Sequence, residues 1–117
     1  MNWKQLDTPQ QIEEIKAASQ NHPILIFKHS TRCSISSMAE NRLNRAWNDS
    51  EIPTMELYHL DLIQYRGLSN QLAESFGVAH ESPQILIIAD GKCIYHNSHM
   101  GIAYHEVKRI YDGLPVV

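Results

Sequence analysis

Four consecutive large apolar residues, Ile24-Leu25-Ile26-Phe27, constrain this chain more than any other stretch. No polar residue alternates with them, so the pattern is that of a strand buried on both faces rather than one lying on a solvated surface. A second run, Gln84-Ile85-Leu86-Ile87-Ile88-Ala89, follows Ser82-Pro83 and has the same character. Strands of this kind need helices on both sides of their sheet.

The remaining sequence supplies those helices. Thr8-Pro9-Gln10-Gln11 reads as a helix start, with Thr8 as cap, Pro9 at the first helical position and Gln11 completing a capping box; Ile12 and Ile15 give its apolar face, and it ends by Asn21. Ile35, Ala39, Leu43, Ala46 and Trp47 recur at steps of four and three, with Glu40, Arg42 and Arg45 on the other face of that helix. Met55–Leu62 reads as a strand. Leu68, Leu72, Ala73 and Phe76 mark a third helix closed by Gly77, and Ala103, Val107, Ile110, Tyr111 and Leu114 a last one. Asp90-Gly91 is a strong hairpin signal leading into Lys92–Asn97, and Trp3–Leu6 is a short first strand. The order (β)αβαβαββα predicts an α/β protein: parallel pairs with crossovers, a terminal antiparallel hairpin, and a mixed four- to five-stranded sheet with helices on both faces. A thioredoxin-like fold is the most economical arrangement of these elements.

The chain has 117 residues and is 43% hydrophobic, which predicts one domain over 1–117 with one core. A net charge of −3 with scattered Lys and Arg gives no basis for binding nucleic acid or an anionic membrane. No apolar run approaches the roughly 20 residues of a membrane helix, and Met1–Gln5 lacks a signal-peptide layout, so a cytoplasmic location is expected. No feature calls for more than a monomer or weak dimer. Trp3, Trp47, Tyr58 and Phe76 are expected in the core or at its rim, and Glu13-Glu14 on a solvated face.

The chemistry lies between the first buried strand and the helix that follows it. Cys33 stands at this strand-to-helix turn, where the positive end of the helix dipole favours a thiolate, the reactive form of the thiol. Unpaired N–H groups at Ser34, Ile35 and Ser36 and the Ser36 hydroxyl are placed to stabilise it, and Lys28, His29 and Arg32 put positive charge close by in sequence. His29 is either a helper of the thiolate or simply a strand-end residue. Ser36 stands where a dithiol enzyme has its second cysteine. Serine cannot resolve a mixed disulfide, so the intermediate must wait for an outside thiol.

Phe27-Lys28-His29-Ser30-Thr31-Arg32-Cys33-Ser34-Ile35-Ser36 resembles the active-site block of the monothiol bacilliredoxins of the bacillithiol system, which are thioredoxin-like proteins. Their usual pattern is lysine-histidine-serine-threonine, any residue, then cysteine-proline-isoleucine-serine. Ser34 stands where the family usually has proline. That adds an N–H donor to the first helical turn and removes rigidity, which bears on reduction potential and substrate range. The resemblance covers essentially the whole chain. It implies a thiol–disulfide oxidoreductase with no tightly bound cofactor and bacillithiol as co-substrate. Cys33 would take the small thiol from an S-thiolated protein, and a second small-thiol molecule would restore it. Ser82-Pro83 resembles the cis-proline loop of thioredoxin-like proteins, which together with Thr31 implies a substrate groove facing Cys33; Arg32 or Lys28 suits the carboxylates of bacillithiol. The same sulfur chemistry also fits a glutaredoxin-type enzyme using another small thiol, or a non-catalytic redox-sensing module.

Cys93 lies sixty residues from Cys33, and a structural disulfide between them is not expected in a reducing compartment. It reads first as a small buried hydrophobe, and alternatively as a resolving thiol. No metal site is expected. Cys93-x-x-His96-x-x-His99 has ligand-like spacing, but an unbroken strand would point Cys93 and His96 to opposite faces.

Overall fold

The computed structural model describes residues 2–115. Nine principal elements follow in order: β1 Trp3–Gln5, α1 Gln10–Ala18, β2 Ile24–His29, α2 Ser34–Ala46, β3 Glu56–Asp61, α3 Arg66–Phe76, β4 Gln84–Ala89, β5 Lys92–Ser98 and α4 Tyr104–Asp112. Short 3₁₀ turns at Asp49–Glu51 and His99–Gly101 complete the chain path. The strands form one mixed sheet in the order β1-β3-β2-β4-β5. Among the described residues no helix is long and apolar enough to cross a membrane.

β2 lies in the middle because both its faces are apolar. Ile24 and Ile26 join Ile12, Ile15, Leu68 and Leu72 under α1 and α3. Leu25 and Phe27 join Ala39, Leu43 and Val107 under α2 and α4. The sheet thus carries a core on each face, built by the period-2 alternation of every central strand.

Local signals explain most boundaries. Gly77 closes α3 with φ +64°, and Val78 N–H returns to the Ala73 carbonyl. Asp90 and Gly91 both have positive φ, 53° and 72°, as a two-residue type I′ hairpin requires. Ser19 at the end of α1 clamps that hairpin: its carbonyl accepts Asp90 N–H and its hydroxyl accepts Gly91 N–H at 2.8 Å.

Four expectations need correction. At the start of α1, Pro9 occupies the N-cap position with helical dihedrals and Thr8 makes no side-chain cap, so only half of the capping box forms: Gln11 Oε1 accepts the Thr8 N–H at 2.9 Å, and that of Asp7 at 2.7 Å. The buried face of α2 runs through Ser36, Ala39 and Leu43, while Ile35 is 53% exposed and Ala46 also faces solvent. The true stripe opens on a polar residue, which apolar periodicity does not register. β4 runs antiparallel to β2 despite the intervening helix. Residues 77–83 carry the chain back to the end of the sheet where β2 finishes, so Gln84 pairs with Lys28. Finally, a register shift between Ile87 and Ile88 sets Ile88 opposite Cys93 and Leu86 opposite His96. Directly paired residues share a face, so this bulge puts Cys93 and His96 on the same side of the sheet. Cys93, His96 and His99 still do not gather into a ligand cluster.

Candidate active site

β2 delivers the chain into the turn 30–33, and α2 leaves from it. Cys33 N–H donates to the Ser30 carbonyl at 3.2 Å, and Ser37 N–H donates to the Cys33 carbonyl at 3.2 Å as the first helical bond. Cys33 is the N-cap of α2, in extended conformation, with no hydrogen bond from its side chain to the helix end. The N–H groups of Ser34, Ile35 and Ser36 have no intrahelical acceptor, as at any helix start. Cys33 is half-buried; Thr31, Arg32 and Ser34 beside it are exposed.

Ser36 is wholly buried and makes no hydrogen bond to the sulfur of Cys33. Its hydroxyl oxygen accepts Ser30 N–H at 3.0 Å and lies 2.7 Å from His29 Nδ1. One serine therefore pins the turn on which Cys33 sits and couples it to β2. His29 is held neutral by burial, which lowers its pKa against the opposing charge of Glu40. Its link to the Cys33 turn is the Ser36 hydroxyl.

Lys28, adjacent in sequence, points to the other face of β2. It is fully buried, and among the described residues Nζ has no hydrogen-bond partner. Burial lowers its pKa to about 8, and the titrating group that couples to it is Cys93. Arg32 is thus the basic residue of the motif left at the surface beside Cys33.

Cys93 lies opposite Ile88, which lies opposite Ile24, at the far end of β2 from His29. Five residues of strand at about 3.3 Å each separate those ends by roughly 16 Å, well beyond the roughly 7 Å Cα separation a disulfide spans. Its thiol donates to the Tyr95 carbonyl at 3.3 Å, and burial pushes its pKa up.

The other wall of the site is the loop before β4. The Ser82–Pro83 bond is cis, Pro83 is buried, and its carbonyl accepts His99 N–H at 3.1 Å. Arg42 on α2 donates to the His99 and Ile102 carbonyls, tying the 3₁₀ turn 99–101 to the helix. Met38 is 62% and Met100 80% exposed, and with Ile35 they give this end of the molecule an apolar rim.

Two residues escaped the sequence reading. Glu40, assigned there to a solvated face, is half-buried and turned toward the sheet, where its carboxylate accepts from His59 Nε2 at 2.6 Å. His59 on β3 stacks on Phe27, with ring centroids 5.9 Å apart and planes 5° from parallel. No local pattern marks either residue; only the pairing of β3 with β2 and the docking of α2 bring them beside His29.

Residues 4–107 match the family described as monothiol bacilliredoxin BrxC. The chain belongs to that family. Among solved structures, one described as an oxidoreductase with a thioredoxin fold superposes with a TM-score of 0.75 at 28% identity, covering 90% of this chain and 89% of the other. Thioredoxin from Fasciola hepatica gives 0.67 at 18% identity over 93% and 96% of the two chains, and that from Malassezia sympodialis 0.70 at 13% over 95% and 89%. The last two establish the fold alone. This bacilliredoxin is accordingly a thiol–disulfide oxidoreductase on a thioredoxin fold.

Proposed function

We propose that Cys33 is the attacking sulfur in a monothiol cycle that removes bacillithiol from S-thiolated proteins. The supporting observation is a half-buried cysteine at the start of α2 with a hydrogen-bonded serine one turn on and the other thiol at the far end of the sheet. The Cys33 thiolate attacks the sulfur of the small thiol in the mixed disulfide. The protein sulfur leaves as a thiolate, and Cys33 is left S-thiolated. A second small-thiol molecule attacks that adduct, releasing Cys33 and one oxidised small-thiol disulfide. The free N–H groups of Ser34 and Ile35 and the exposed Arg32 favour the carboxylates of the co-substrate, and Thr31, Ser82 and Pro83 flank the approach. Ser36 and His29 hold the turn that carries the sulfur. Lys28 acts on the opposite face and takes no part in this approach.

The test is turnover of an S-bacillithiolated protein with reduced bacillithiol as recycling thiol, followed by intact mass. The proposal expects catalysis above the small thiol alone, a single adduct on Cys33, and unchanged turnover in Cys93→Ser. Equal rates with and without the protein reject it. Catalysis that needs glutathione instead of bacillithiol assigns the cycle to the glutaredoxin type.

A further inference from the structure

A cluster inward of Cys33 supplies no reacting group to that cycle, although its His29 also holds the turn that carries the sulfur. His29, His59 and Glu40 each offer a ligand atom, and these atoms all lie within 4.8 Å of one another. We propose that His29, His59 and Glu40 form a three-ligand site for a divalent ion of the zinc class, held between α2 and strands β2 and β3.

The donor chemistry fits. Two imidazoles and one carboxylate with an open fourth position is a common zinc set, and borderline nitrogen and oxygen donors select zinc over magnesium or calcium. His29 and His59 come from neighbouring parallel strands, with ring centroids 5.2 Å apart. Glu40 reaches them from α2.

The surroundings fit as well. Histidines that bind zinc commonly use their other ring nitrogen in an outer hydrogen bond that fixes the ring. His29 Nδ1 has such a partner in Ser36 Oγ, itself fixed by Ser30 N–H, and Nε2 has no hydrogen-bond partner among the described residues. His59 is set between the Phe27 ring and the edge of Trp3, whose centroid is 5.8 Å away. His59 and Glu40 keep 15% and 24% of their side chains in solvent, which gives the ion a way in and leaves water for the fourth position. No lysine or arginine pairs with Glu40 among the described residues. The nearest arginine on α2, Arg42, is committed to the His99 and Ile102 carbonyls.

The competing account is that the cluster is complete as a His59–Glu40 hydrogen bond of 2.6 Å. Tetrahedral zinc with bonds of about 2.0–2.2 Å needs donors about 3.3 Å apart. The pair therefore has to open by less than about 1 Å, and the shared proton has to leave His59 Nε2 for Nδ1 or solvent.

Untagged, chelator-treated protein titrated with Zn²⁺ by calorimetry, and with Co²⁺ by visible absorption, decides between them. The proposal expects one ion per chain, Co²⁺ bands without an intense thiolate charge-transfer band, and a melting temperature raised by Zn²⁺. His59→Gln and Glu40→Gln should each weaken binding at least about tenfold, while Cys33→Ser and His99→Gln bind as wild type. Circular dichroism checks that each variant is folded; Glu40→Gln, a part-exposed helix position, serves if His59→Gln is not. Zn²⁺ binding no tighter in wild type than in the folded triad variant overturns the site. So does loss of binding in Cys33→Ser or His99→Gln.

Discussion

Lys28 and His29 are consecutive, basic and buried, yet they meet opposite fates on the two faces of β2. His29 finds Ser36, and through the stacked ring of His59 it reaches Glu40. Lys28 finds no hydrogen-bond partner among the described residues and is driven toward its neutral form by burial. A buried polar group costs little when hydrogen-bonded and several kcal/mol when it is not, so one step along a strand separates a positioned group from a strained one. The two thiols divide the same way. Cys33 opens α2 at one end of the sheet, and Cys93 lies at the other end against the α1/α3 core.

The sharpest break of this contrast is between the thiols. Cys33→Ser should abolish turnover, while Cys93→Ser changes it less than about twofold. In wild-type protein, iodoacetamide should label Cys33 long before Cys93, whose thiol is half-buried and pushed up by desolvation. Peptide mapping of the labelled protein reads the order.

The next effect concerns the lysine. Lys28→Met removes a buried, unpartnered amine and fills the same space, so it should stabilise the protein by about 1–3 kcal/mol at pH 7 in denaturant titration. Because the folded pKa, about 8, lies below the ordinary 10.5, the unfolded chain binds more protons between those values. Wild-type stability attributable to Lys28 should therefore rise with pH from about 8 to 10.5, by up to about 3 kcal/mol, and Lys28→Met should lack that rise. An unchanged pH profile in the variant would place the strain elsewhere.

On the opposite face the same kind of deletion should act in the other sense. Ser36→Ala leaves Ser30 N–H and His29 Nδ1 unpaired in a buried setting and should cost about 1–3 kcal/mol. Turnover should fall with it, since the Cys33 turn loses its pin. The smallest effect is expected at the rim. Ile35→Ser and Met38→Ser, both well exposed, should shift stability by less than about 0.5 kcal/mol while raising KM for a protein substrate. Equal KM values would remove the rim from the docking surface.

Much of this bacilliredoxin was readable from residues close together in the chain. The unbroken apolar runs, the Asp90-Gly91 hairpin and the Gly77 stop encode their elements within a few residues, because backbone conformation and turn chemistry are local. The position of Cys33 at a helix start came from the same kind of signal. The α2 stripe was misread at Ser36 because burial of a hydroxyl depends on partners that periodicity cannot show.

By itself, then, the sequence determined the order of elements, the strand-to-helix turn bearing Cys33 and the motif that carries family membership, since each is written in a contiguous stretch. Tertiary structure alone decided that β4 returns antiparallel, that a bulge turns Cys93 and His96 to one face, that Lys28 is stranded, and that Glu40 and His59 close around His29. Those outcomes depend on which distant segments pack together. A side chain's charge, hydrogen bonds and solvation are set by the neighbours that packing supplies.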